Sequence, residues 1–232
     1  MLTGVNFVGV NLPSMCTRVN IEAVTGRNAY HHGDLRNALI SAAAELAEQG
    51  GPPAVTIRAA ARAAGVTPTA AYRHFSGHDE LLSAAKQYSL DQMGAAMRGR
   101  LAKLPPQSDP DQAAIDRIEA IGRGYVDFAL SQPGLFRTAF TVDVEKPAPD
   151  FKQAEGPHLM LVRAMDDLVR LGFVAPEARV GAEFAAWSLV HGLSLLLLEG
   201  PLARVPAEER DAVVDETLGQ FVRSVWAART TS

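Results

Sequence analysis

Apolar positions along the chain recur at helical spacing rather than in alternation. Leu35, Ala38, Leu39, Ala42, Ala43, Leu46 and Ala47 follow the i, i+3, i+4, i+7 rule and predict an amphipathic helix over 34–49. Asp34 is its expected N-cap, and Gly50-Gly51-Pro52-Pro53 its end. A short helix capped by Thr56 then runs through Ala64, and Gly65-Val66 makes a tight turn. A third helix is capped by Thr67, opens on Pro68 where a missing N–H is harmless, and runs to about Phe75. Ser76 and Asp79 have capping-box spacing ahead of the next element, with Asp in the place of Glu or Gln.

Leu81 to Leu104 reads as a long helix with Leu81, Ala85, Tyr88, Met93, Met97 and Leu101 near one face. The run from Pro105 to Pro110 breaks it. Ile115, Ile118, Ile121, Tyr125 and Ala129 mark another helix, Pro133-Gly134 interrupts, and Leu135 to Phe140 forms a short helical piece. A proline-punctuated loop over 141–157 precedes helices at about Leu159–Leu171, Pro176–Glu199 and Pro206–Ala228. No stretch reads as a strand or a repeat. The expected fold is all-α, with about nine helices. Its parts are a disordered arm at 1–28, a three-helix helix-turn-helix domain at 29–78, and a helical bundle at 79–232.

Composition adds bounds rather than a class. At 232 residues, 47% hydrophobic and 21% charged, the chain has the make-up of a folded protein. The single cysteine, Cys16, can form no internal disulfide and no Cys-based metal site, which suits a reducing compartment. The apolar run Phe184–Leu198 contains Ser188, His191 and Ser194 and is too short to span a bilayer, so no membrane association is expected. Met1–Arg27 carries only Arg18 and Arg27 as basic groups, which does not make a signal peptide.

Charge is unevenly spread. Residues 56–75 hold Arg58, Arg62 and Arg73 and no acid, whereas the whole net charge of −4 arises after residue 82. A short basic segment on a mildly acidic body suggests an anion-binding module attached to something else. The second helix of the 56–75 pair presents Thr67, Thr69, Tyr72, Arg73 and His74, a mix able to face bases and phosphates in a major groove. Spacing alone leaves the alternative of a plain helical hairpin with a solvated face. Ile57, Val66 and Phe75 read as the small core beneath either.

Longer blocks narrow the choice. Tyr30-His-His-Gly-Asp-Leu-Arg36, then Thr56 with Ala64-Gly65-Val66 and Tyr72-Arg-His-Phe75, then Glu80-Leu-Leu, closely resemble the TetR family of transcriptional regulators over about residues 30–82. Trp187-Ser-Leu-Val-His191-Gly192 is similar to the Trp-His-Gly (WHG) signature of one TetR C-terminal domain type. The resemblance implies a DNA-binding regulator, and from it we expect a cytoplasmic repressor released from a palindromic operator by a small apolar effector. It implies that Thr56 caps the second helix and bonds a phosphate, and that Arg58 reaches a base. Pro68, Thr69 and Arg73 then face the groove, while Thr67, Tyr72 and His74 hold the DNA backbone. One position departs: His78 stands where the family usually has Lys, and a neutral His is the weaker phosphate partner.

Specific binding by so small a module needs two copies, with reading helices roughly 34–36 Å apart. The last two long helices are the expected homodimer surface, as in the family's four-helix interface. Val213, Val214, Leu218, Phe221, Val222 and Val225 form the stripe on the final helix; closure of a monomeric bundle is the alternative. Phe184, Trp187, His191 and Leu195 share a helix face, with Phe128, Phe136, Phe140, Met160 and Met165 as opposing groups. From these, Phe128, Phe136, Phe140, Met165, Trp187 and His191 are candidate effector contacts, with ordinary core packing as the alternative. Gly192 is expected to permit close helix packing. No catalytic, phosphate-loop or paired-cysteine motif is present, so neither enzyme activity nor a cofactor is expected. The adjacent His31-His32 pair lacks a third metal ligand, and Asp166-Asp167 reads as a solvated face.

Overall fold

The computed structural model describes residues 32–141 and 156–227. The expected arm at 1–28, His31 and most of the expected loop at 141–157 lie outside the described residues. Within them the chain forms nine α-helices and no strand: α1 His32–Gly50, α2 Ile57–Ala63, α3 Pro68–Ala71, α4 His78–Leu101, α5 Pro110–Ser131, α6 Pro133–Ala139, α7 Gly156–Arg170, α8 Arg179–Leu198 and α9 Ala207–Ala227. Short 3-10 turns lie at Pro52–Ala54, Pro176–Ala178 and Pro201–Arg204.

Several boundaries differ from the sequence reading. α1 begins at His32, so Asp34 lies inside its first turn rather than at its cap. α3 is only four residues long, because the chain tightens after Ala71: the amides of Arg73 and His74 bond the carbonyls of Ala70 and Ala71, three residues back. α4 begins at His78, with Gly77 as N-cap. Glu80, not Asp79, makes the local bonds there: its Oε2 accepts from the Ser76 amide at 2.7 Å and the Ser76 hydroxyl at 2.9 Å. The longer side chain reaches back over the turn, and these bonds hold the Glu80 carboxyl below its ordinary pKa.

The core is continuous from α1 to α9. Leu39, Ala43, Ala47, Leu81, Ala85, Met93, Val126, Phe128, Met165, Leu168 and Val214 are all buried. Buried hydroxyls are satisfied locally: Ser89, Thr138 and Ser194 each donate to the carbonyl four residues back. Two glycines set close approaches. A Cβ on Gly124 of α5 would stand 2.6 Å from the Met97 Cα of α4. One on Gly134 of α6 would stand 2.3 Å from the Ala47 carbonyl oxygen of α1. Beside that second contact, the Glu48 carboxylate accepts from the Leu135 amide at 3.1 Å, so α1 caps α6.

α8 is a correction to the length argument. With the 3-10 turn before it, the apolar helix covers Pro176–Leu198, 23 residues, which is long enough to cross a membrane by length and composition. The chain instead ties its N-terminal end to α7. Arg179 bonds Asp166 at 2.6 Å and Glu183 at 2.7 Å, and Glu183 also meets His158 at 2.6 Å. Asp166 and Asp167 are therefore paired rather than merely solvated, Asp167 with Arg117 and Arg170.

Candidate functional site

Two features stand out: the α2–α3 surface and a cavity in the bundle. The first is built by its caps. Thr56 Oγ1 accepts from the Ala59 amide at 3.1 Å, and Thr67 Oγ1 from the Ala70 amide at 3.2 Å. Each hydroxyl keeps its own proton to donate. Between the helices, the Gly65 amide bonds the Arg62 carbonyl at 3.2 Å and the Val66 amide bonds Ala61 at 2.9 Å. These two bonds form a Schellman end, which requires the left-handed backbone Gly65 supplies at φ +70°. Ile57, Ala60, Ala61, Ala71 and Phe75 are buried beneath, and Val66 is half-buried. The Arg36 guanidinium of α1 lies 5.0 Å from the Phe75 ring centroid.

This packing leaves the polar side chains outside. Thr56, Arg58, Thr67, Pro68, Thr69, Tyr72, Arg73 and His78 are exposed, and His74 is half-buried. Tyr72 keeps 52% of its surface in solvent, unusual for an aromatic residue in so small a module. Arg58, Arg62 and Arg73 carry the charge, and residues 56–75 contribute no acid to oppose them. Such a surface suits a polyanion.

The second feature is a cavity of about 320 Å³ lined by residues of α4 to α9. Lys86, Leu90, Met93 and Met97 form one wall along α4; Ile118, Glu119, Ile121, Gly122 and Tyr125 form another along α5. Phe140, Trp187, Val190, Leu218 and Phe221 close it. The size and the mostly apolar wall suit a small organic molecule.

Behind that wall, Tyr125 and His191 join α5 to α8, their Oη and Nδ1 lying 2.7 Å apart. Which of the two groups donates follows the imidazole tautomer. Burial holds the His191 ring below its ordinary pKa and pushes the Tyr125 phenol up, so both stay neutral. Phe136 and Phe140 of the α6 segment pack on the same imidazole, with ring centroids 5.4 and 4.7 Å away.

The six expected effector contacts separate into groups. Phe140 and Trp187 line the cavity. Phe136 and His191 stand behind the lining, against Tyr125. Phe128 and Met165 are fully buried core residues outside the lining. Leu90, Met93 and Met97 were legible only as an apolar helix face, and nothing in the sequence marked the space opposite them. The α9 stripe turns mostly inward. Val214 and Leu218 are buried, while Val213, Phe221, Val222 and Val225 pack partly on the same core. Gly192 has open space where a Cβ would stand, so within one chain it serves no close packing. The apolar side chains left in solvent here are Val180, Phe184, Leu195 and Leu196 on α8 and Trp226 on α9. Among the described residues, no three His, Cys, Asp or Glu side chains gather as a metal set.

Comparisons with known proteins cover both features. Residues 39–85 match the model of bacterial regulatory proteins of the tetR family, and residues 118–221 match a tetracyclin repressor-like C-terminal domain. An uncharacterized HTH-type transcriptional regulator, YobS of Bacillus subtilis (strain 168), is 25% identical over 195 residues, covering 83% of this chain and 91% of that protein. A protein with unknown function from Rhodococcus sp. RHA1 shares the fold at a TM-score of 0.66 and 24% identity, over 88% of this chain and 99% of that one. A TetR variant from Acinetobacter baumannii AYE, solved in complex with minocycline, shares it at a TM-score of 0.60 and 20% identity, over 87% of this chain and 99% of that one.

Proposed function

We propose that this chain, a TetR-family transcriptional regulator, is a repressor that leaves a palindromic operator when a small, largely apolar molecule occupies its cavity. The observation that carries the reading is an acid-free, cationic α2–α3 surface joined, by α4 and by the seat of α1 on α6, to a bundle that holds a cavity. The reading domain takes in residues 29–78 and the sensing and pairing domain 79–232. Thr56 and Thr67 donate their free hydroxyl protons to phosphates, Arg58 and Arg73 reach into the groove beside Pro68 and Thr69, and Tyr72, His74 and His78 hold the backbone. The protein acts in the cytoplasm and catalyses no reaction.

Two copies pair through α8 and α9. The exposed Val180, Phe184, Leu195, Leu196 and Trp226 support this, as do the open Cβ positions of Gly181 and Gly192 on α8. Trp187, His191 and Gly192 fit the WHG domain type: His191 holds Tyr125, Trp187 lines the cavity, and the glycine leaves room for a partner helix. An effector acts only through its different affinities for the DNA-fitting and non-fitting spacings of the two reading heads.

The test is selection of random duplex DNA by the purified protein at physiological salt. A palindrome with half-sites one helical turn apart is the expected outcome. No enrichment by a folded, dimeric protein would overturn the reading.

A further inference from the structure

The cavity has a charged end. Lys86, Leu90, Met93 and Met97 lie at i, i+4, i+7 and i+11, so one cavity wall is a single helical stripe with a cation at its start. At 1.5 Å per residue the stripe is roughly 16 Å long, about the length of an extended twelve-carbon chain. The half-buried Lys86 ammonium donates to the Thr141 carbonyl oxygen at 3.0 Å, and among the described residues no carboxylate pairs with it. An ammonium has three donors, so two remain. The neighbouring Gln87 also lines this end and is tied to Asp91 at 3.1 Å.

Glu119 is the charge on the α5 wall. The seat of Gly124 on Met97 sets α4 against α5, which places Glu119 beyond the Met97 end, away from Lys86. Asp116 and Asp215 lie close to Glu119, and Arg100, Lys103 and Arg123 border it too, so that end carries charge of both signs. Between the two ends the wall is hydrocarbon and aromatic: Leu90, Met93, Tyr125, Trp187 and Leu218.

Accepting the cavity as the effector site, we propose that its ligand class is a linear amphipathic carboxylate, whose head bonds Lys86 and whose apolar tail runs along Leu90, Met93 and Met97. A charge-assisted bond to a half-buried ammonium is strong, and the apolar stripe beyond it takes the tail.

The experiment is calorimetric titration of the full-length protein with dodecanoate, dodecanol and dodecyltrimethylammonium, each below its micelle concentration. Wild type, Lys86→Met and Lys86→Arg are compared. The expected result is that dodecanoate binds wild type best, loses about tenfold or more in Lys86→Met, and is largely restored in Lys86→Arg. Dodecanol should bind wild type and Lys86→Met alike, which also certifies the variant's cavity. Tighter binding of the ammonium compound, or equal loss of dodecanoate and dodecanol in Lys86→Met, overturns the carboxylate assignment and leaves the effector cavity standing. Failure of all three probes to bind wild type overturns the effector site and the assignment together.

Discussion

Tyr125 Oη and His191 Nδ1 stand 2.7 Å apart, and this hydrogen bond ties α5 to the middle of α8. Replacing Tyr125 by Phe leaves the half-buried Nδ1 of His191 without this partner. The expected cost is about 1–3 kcal/mol of unfolding free energy, with the fold retained. Chemical denaturation of both proteins measures it, and a change below the error of the fit would rule out a stabilising role for the bond.

The same ring predicts a pH dependence. Burial sets the folded pKa of His191 below its ordinary 6.5, so the unfolded chain takes up the proton first as pH falls. The stabilising contribution is complete above about pH 6.5 and is lost progressively below it, toward the lower folded value. In His191→Gln that component should vanish. Melting temperature followed from pH 8 to pH 5 in the two proteins is the check.

On the reading surface, Arg73 is exposed and has no acid partner within residues 56–75. Arg73→Ala should leave thermal stability within about 0.5 kcal/mol of wild type while weakening duplex binding. If Arg73 bonds a phosphate, the salt slope of log K falls by about one and all sequences weaken alike; if it reads a base, specificity relaxes at one operator position. Fluorescence anisotropy against operator and scrambled duplexes at several salt concentrations separates the two.

Gly134 is the least replaceable glycine in the contact between α1 and α6. A methyl group there would stand 2.4 Å from the Glu48 Cα and 2.3 Å from the Ala47 oxygen, both backbone atoms. Gly134→Ala must push the helices apart and break the Glu48 cap, at a cost of roughly 2–4 kcal/mol. Glu48→Gln keeps an acceptor for the Leu135 amide and should cost less than about 1 kcal/mol. A smaller loss in Gly134→Ala than in Glu48→Gln would contradict the geometry.

Helix identity and the make-up of the α2–α3 surface were legible in the sequence because both are local. The stripe Leu39, Ala42, Ala43 and Ala47 faces the core as its spacing requires, and Thr56 and Thr67 cap as their positions require. The cavity was legible only in part. Periodicity tells which face of a helix is apolar; it does not tell whether the facing side chains fill the space. Phe128 and Met165 lie wholly in the core, whereas Met93 and Met97, just as buried, also border a void. The Glu80 bond escaped because Ser76 lies one residue before the cap, four residues from its acceptor, so the familiar three-residue spacing pointed to Asp79 instead.

The seat of Gly124 on Met97 is a close approach between α4 and α5, and it lies 19 residues along the helix from His78. At 1.5 Å per residue this is an arm of roughly 28 Å. A pivot at that seat turns a 5° swing into about 2.5 Å of travel at the reading end, by the same helical rise. In a two-fold pair swinging in opposite senses, the gap between the reading heads changes by up to twice that amount. If the proposed effector acts through this fulcrum, a wedge thinner than one side chain is enough to put the two proposed reading heads out of step with the pitch of the duplex.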